Sequence, residues 1–296
     1  MKKNTTSILT AATVALIPVC NAAVINWSGG AASDDWNDVD NWQRDTIAGE
    51  LADDNAIFSG TGDSNTPTFS IAFTNPTDFN FRNEATLTLI SGVTISNIDQ
   101  GRLGANANNG GGHIVQTGGD LVGLDFTVGS SSAATSRSTH TISSGDVSLT
   151  GNYGANSLGD VIVTGSMVAI SAANINFNET NGVGSTLTFS FDSAGIGSFT
   201  TAGAFSASGS SLLEINAAGY TPVVGNTFTL IDAAGGYTAF DTNNITVNGF
   251  GTEGADYTLT QDLAGSGDLV LTVVPEPSST ALLGLGSLGL LLRRRR

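Results

Sequence analysis

His113-Ile-Val-Gln-Thr-Gly-Gly-Asp120 and His140-Thr-Ile-Ser-Ser-Gly-Asp146 are two versions of one phrase. Each is a short alternating run that ends in a Gly-Asp step. Asp160-Val-Ile-Val-Thr-Gly165 repeats the phrase more loosely. Alternation at every second position marks a half-buried strand. Gly119, Gly145 and Gly165 thus recur at a period of roughly 20 to 26, and such a period marks stacked units, each too small to bury its own apolar face. One coil of a β-helix fits that length, so the spacing predicts a β-solenoid in preference to a sandwich. His113 and His140 are the two histidines of the chain. They are expected at equivalent, exposed ladder positions on neighbouring coils. A metal pair would want a third ligand and second-shell support that this context lacks.

The same grammar extends outward. Ala85–Ile90, Val93–Ile95, Asp146–Thr150 and Thr186–Phe191 are short alternating runs bounded by Gly, Asn and Ser. Beyond residue 200 the runs lengthen: Ser211–Ile215, Thr227–Ile231, Ile245–Val247, Tyr257–Thr260 and Asp268–Val274. Gly265-Ser-Gly267 should turn the last two into a hairpin. The expected fold class is all-β, with a signal helix in front and a short transmembrane helix behind. Its divisions are a signal segment 1–23, a Trp/Asp-rich β cap 24–78, solenoid-like repeats 79–199, a C-terminal β-module 200–274 and a tail 275–296.

Charge is distributed unevenly. Charged residues are only 12% of the chain, about half the usual share, which leaves little material for amphipathic helices. Between Val24 and Val274 there is no lysine, and four arginines (Arg44, Arg82, Arg102, Arg137) face 25 acids, a net charge of −21. Such a body excludes nucleic acid as a partner, because phosphate binding needs a basic surface. It favours solubility and tolerates divalent cations.

Lys2 and Lys3 followed by the apolar run Ile8–Val19 form a secretory signal, with cleavage after Ala22 or Ala23. Cys20 is the only cysteine. Once the signal is removed, no disulfide, thiolate nucleophile or cysteine metal site remains. The segment after it holds all three tryptophans, Trp27, Trp36 and Trp42, and eight acids between Asp34 and Asp54. Indoles here would cap the end of a β-stack that otherwise exposes strand edges. Carbohydrate stacking on exposed rings is the alternative. Asp34, Asp35, Asn37, Asp38 and Asp40 suggest a calcium loop. Val39 breaks the alternation of ligands and no glycine follows, so no cofactor is expected, with calcium as the weak exception. The pattern Trp27-Ser-Gly-Gly, Asp35-Trp36, Asn41-Trp42 and Asp53–Phe58 resembles the opening module of exported repeat proteins with autotransporter-like strands.

The tail from Pro275 to Arg296 has three parts. Pro275-Glu276-Pro277 is extended and unpaired, because each proline fixes its own φ and restrains the residue before it. Ala281–Leu292 is an uncharged run, about 18 Å long as a helix and shorter than a bilayer core. Arg293, Arg294, Arg295 and Arg296 form a basic end that stays cytoplasmic. This tail resembles the PEP-CTERM sorting signal of Gram-negative bacteria, also called an ice-binding protein C-terminal domain, a label that demonstrates no ice binding. The resemblance implies an exosortase as processing partner, after the Sec translocon and signal peptidase. It implies a precursor anchored in the inner membrane and facing the periplasm, then an outer-surface or extracellular protein beside exopolysaccharide. The stretches Gly225–Asp232, Tyr257–Thr260 and Gly267–Val273 resemble the β-module that precedes such tails.

Catalytic signatures do not assemble. There is no Gly-x-Ser-x-Gly elbow. Gly249–Gly254 and Gly284–Gly289 match Gly-x-Gly-x-x-Gly, but neither lies in a βαβ unit. A glycosidase or lyase groove would pair its acids with basic residues, and those are too scattered. The chain is therefore expected to be a structural or adhesive protein of the cell surface, matrix or biofilm and not an enzyme. A glycan- or calcium-binding surface module is the alternative. Ice binding is a remoter one, because Thr86/Thr88, Thr186/Thr188, Thr227/Thr229 and Thr258/Thr260 are irregularly spaced.

Overall fold

Apolar side chains at every second position can all be buried only if each strand lays one side against a common core. The computed structural model describes residues 24–28, 38–43, 54–59, 77–82, 84–104, 111–129, 136–179, 182–238, 240–262 and 267–274. The predicted signal and transmembrane helices lie outside them. The first strands are β1 (Val24–Asn26), β2 (Asp54–Ser59), β3 (Thr77–Arg82), β4 (Ala85–Leu89), β5 (Thr94–Leu103), β6 (Gly112–Thr117) and β7 (Asp120–Val128). The middle of the chain forms β8 (Ser138–Leu149), β9 (Asn152–Ala155), β10 (Gly159–Thr164), β11 (Val168–Ala172), β12 (Asn174–Phe177), β13 (Thr186–Ser190) and β14 (Ser198–Thr201). The last are β15 (Phe205–Ala207), β16 (Leu212–Asn216), β17 (Thr227–Ala233), β18 (Tyr237–Thr238), β19 (Ile245–Asn248), β20 (Tyr257–Gln261) and β21 (Leu269–Val273). Among the described residues there is no α-helix.

The fold is an all-β solenoid. One wall stacks β4, β6, the first half of β8, β10, β13, β16 and β19, all parallel and in register. Its inward ladder reads Leu87, Ile114, His140, Val161, Leu187, Leu213 and Ile245. The coil between His140 and Val161 is the shortest and the one between Leu213 and Ile245 the longest, and the loops absorb the difference. A second inward ladder reads Leu89, Gln116, Ile142, Val163, Phe189, Ile215 and Val247. Parallel stacking therefore continues through residues 200–248 without a change of register.

The other walls carry two strands per coil. One ladder runs Ile95, Leu121, Val147, Ile170, Phe199 and Ile231. The other runs Phe79, Gly101, Phe126, Tyr153, Ile175, Phe205 and Tyr237. Gly101 is required by packing. A Cβ there would sit 2.5 Å from Phe126 Cδ2 and 3.0 Å from Phe79 Cζ, two rings whose centroids are 5.9 Å apart.

The stack ends antiparallel. β21 lies between β17 and β20, with Phe228 and Leu259 both opposite Leu271. This is the hairpin that the Gly265-Ser-Gly267 turn signals. Leu269, Leu271 and Val273 are buried by it, and Phe191, Tyr220, Phe228 and Phe250 pack on one another at centroid distances of 4.9–6.1 Å.

The two histidines are not equivalent, a correction to the sequence reading. His113 pairs with Thr139, and His140 pairs with Ile114. The phrase from His140 to Asp146 is shorter by a single residue than the one from His113 to Asp120. The stack keeps the same offset on either side of it, pairing His113 with Thr139 and Leu121 with Val147. The Gly-Asp steps therefore align while the histidines fall one position apart. One position in a strand is the difference between the two faces. His113 points outward, and His140 is fully buried.

Candidate functional site

A buried histidine needs partners for both ring nitrogens. His140 Nε2 lies 3.1 Å from Gln116 Oε1 and Nδ1 lies 2.9 Å from the Tyr153 hydroxyl. Gln116 Oε1 only accepts, so Nε2 carries the proton and Tyr153 donates to Nδ1. Gln116 Nε2 donates to the Gly119 and Asp146 carbonyls at 2.8 and 3.2 Å. Each polar atom named has a partner. Burial drives the His140 pKa down to about 3 and pushes the Tyr153 hydroxyl up. All three residues are at 0% exposure, so this triad is closed to substrate and is a structural joint in the core. Composition gave no sign of it, since Gln116 reads as an ordinary polar member of an alternating strand.

His113 has a surface role. Its Nδ1 is 2.9 Å from Thr139 Oγ1 and its Nε2 is 3.0 Å from Glu84 Oε2. The hydrogen bond to His113 is the chief reason the Glu84 carboxyl sits below its ordinary pKa. Glu84 also accepts from Gly111 N–H at 3.2 Å, which ties the two ends of a coil together.

At the amino end, Trp27 and Trp42 meet edge to face, with centroids 5.1 Å apart and planes at 88°. Both are buried, at 7% and 1% exposure. For these two indoles carbohydrate stacking is corrected: neither offers a flat exposed face. Asp38 caps the 3-10 turn Val39–Asn41 by accepting from Asp40 N–H at 3.2 Å. Trp36, Asp34 and Asp35 lie outside the described residues. Among the described residues no three His, Cys, Asp or Glu side chains gather at one point.

The outward side of the first wall tests the threonine pairs. Thr86/Thr88, Thr139/Thr141 and Thr186/Thr188 fall in the same two columns, but on alternate strands. His113/Val115, Asp160/Ile162 and Leu212/Glu214 interrupt them, so no continuous threonine surface forms. A cleft of about 320 Å³ is lined by Ala207, Ser208, Gly209, Ser211, Phe240 and Asp241. Its polar groups are committed already: Ser211 Oγ donates to the Phe177 carbonyl at 3.2 Å, and Asp241 Oδ1 accepts from Asn243 N–H at 2.9 Å.

One place remains where geometry and sequence pattern meet. Val273 N–H donates to the Asn226 carbonyl and Gly225 N–H to the Val273 carbonyl, both at 2.8 Å. Val274 N–H donates to the Asp256 carbonyl at 2.9 Å. The next residues are Pro275-Glu276-Pro277, the uncharged run and Arg293–Arg296. The chain carries a PEP-CTERM protein-sorting motif. The match spans residues 273–296. No curated protein and no solved structure matches the chain.

A PEP-CTERM motif implies an exported, membrane-anchored precursor that an exosortase processes for the cell surface. The first two residues of the PEP-CTERM match belong to the folded body, and its signature tripeptide begins at the first residue after the last backbone clamp. Pro275 has no N–H and cannot extend the ladder. Pro275–Pro277 and the four arginines lie outside the described residues. Among the described residues no helix is long and apolar enough to cross a membrane.

Proposed function

We propose that this chain is a non-catalytic structural or adhesive protein of an extracellular polysaccharide matrix or biofilm, released to it by exosortase processing of the PEP-CTERM tail. The observation that carries this reading is the PEP-CTERM match that starts inside β21 and runs on from the last clamped residue of a closed solenoid. The body supports it by its character. Its net charge of −21 between Val24 and Val274 keeps it hydrated and repels its own copies. Its inward ladders are apolar or internally satisfied, so the work is left to outward side chains.

The test replaces Pro275, Glu276 and Pro277 with alanine in a cell that has an exosortase. The expected result is a membrane-bound, unprocessed precursor, with a matrix fraction that lacks the protein. Unchanged processing would sink the sorting arm. Normal release, but no loss of cell aggregation or matrix cohesion on deletion of the whole chain, would sink the adhesive arm and leave sorting standing.

A further inference from the structure

We propose that Val223 and Val224 contact the bilayer surface while the precursor is anchored. The proposal rests on the anchored-precursor reading of the tail. The two valines are 54% and 57% exposed, more than any other large apolar side chain of the described body except Met167. Their exposure is built in. Tyr220 N–H donates to the Ala217 carbonyl at 2.7 Å, Asn226 N–H to the Val223 carbonyl at 3.1 Å, and Asn226 Nδ2 to the Tyr220 hydroxyl. The Tyr220 ring in turn packs on Phe191 and Phe228 at 5.5 and 5.4 Å.

That loop sits where the tail leaves. Gly225 and Asn226 clamp Val273, and the antiparallel register that pairs Thr227 with Thr272 puts Val224 alongside the exit. Only residues 275–280 separate Val274 from the uncharged run Ala281–Leu292. Fully extended, that link spans at most about 25 Å, and proline shortens it. With the apolar run in the membrane, the exit face is the part of the body nearest the lipid. Exposed Glu253, on the loop that clamps the other side of Val274, argues for contact with neutral lipid and against anionic headgroups. Two valines are too small to hold a protein on a bilayer alone. The tether supplies the high effective concentration that makes a weak contact count.

The experiment uses the full chain in a Cys20→Ser background, reconstituted into phosphatidylcholine vesicles, with a nitroxide at Val224→Cys. Ile90→Cys is the control, because Ile90 is 46% exposed and follows β4, six strand spacings or about 29 Å from β19. Contact raises the ratio of oxygen to nickel-chelate accessibility several-fold at position 224 over position 90, and Val223→Asp returns it to the control value. Equal ratios at the two positions in floating vesicles overturn the contact alone. Shielding that appears only when exosortase is added also overturns it, in favour of the enzyme as occupant. A precursor that fails to float with the vesicles overturns the anchored reading and this contact together.

Discussion

His140 Nε2 donates to Gln116 Oε1 at 3.1 Å across two adjacent coils, inside ladders that are otherwise filled by Leu, Ile, Val and Phe. The bond lets an imidazole occupy a slot shaped for an aliphatic side chain. It does so only while the ring is neutral, because the site has no anion to meet an imidazolium.

Acid should therefore loosen the body before most carboxylates respond. The folded pKa of His140 is about 3 against an ordinary 6.5, so the unfolded chain takes up the proton first. Stability from this group is complete above pH 6.5 and falls as pH drops toward 3, by about 1.4 kcal/mol per pH unit. At pH 5 the loss is about 2 kcal/mol. Urea melts from pH 7.5 to 4 measure it. A His140→Leu variant should lose most of the slope between pH 6.5 and 5, and an unaltered slope would refute the assignment.

Cutting the joint on one side should be worse than removing it. Gln116→Leu leaves the His140 N–H buried without an acceptor, at a cost of about 1–3 kcal/mol. Gln116→Leu with His140→Leu and Tyr153→Phe leaves no polar side chain of the joint buried without a partner and should recover much of that. A double-mutant cycle with additive effects would show that the two side chains are uncoupled.

Gly101→Ala should destabilise by about 1–3 kcal/mol, because its Cβ would lie 2.5 Å from the Phe126 ring. Phe126→Leu in the same chain should give back part of the loss at the expense of the ring contact with Phe79. Chemical denaturation of the four proteins decides it. An alanine tolerated without change would mean that the ring stack moves freely.

Processing should leave β21 whole. Val273 and Val274 are bonded to Asn226, Gly225 and Asp256, so a cut before Val274 would have to break these backbone bonds first. Intact mass of the processed protein should place its new end at or beyond Val274. An end inside Leu269–Val273 would require the enzyme to strip the hairpin first.

The strands were readable because alternation is a local property: Leu87, Leu89, Ile114 and Val161 each announce the face that they occupy. The sorting tail was readable for the same reason, as all its parts are contiguous. What escaped was everything set by register. The phrase shared by His113 and His140 matched residue types, yet its second version is shorter by a single residue while the coil offset is the same on either side of it, which put the two rings on opposite faces. The clamp on Val273 and Val274 was equally hidden, since Gly225 and Asn226 reach Val273, and Asp256 reaches Val274, from loops well back along the chain. The clustering of Trp27 and Trp42 was visible in the sequence, but their perpendicular contact depends on a bridge between residues 27 and 42.

The parallel stacking of coils has a mechanical meaning. Strands lie across the axis, so a pull along it loads the hydrogen bonds between coils one after another, as in a zipper. Each coil that opens shortens the rod by about 4.8 Å. The chain freed from one coil extends to about 90 Å. Pulled from its two ends, such a body would yield in steps and lengthen many-fold before the chain itself came under tension.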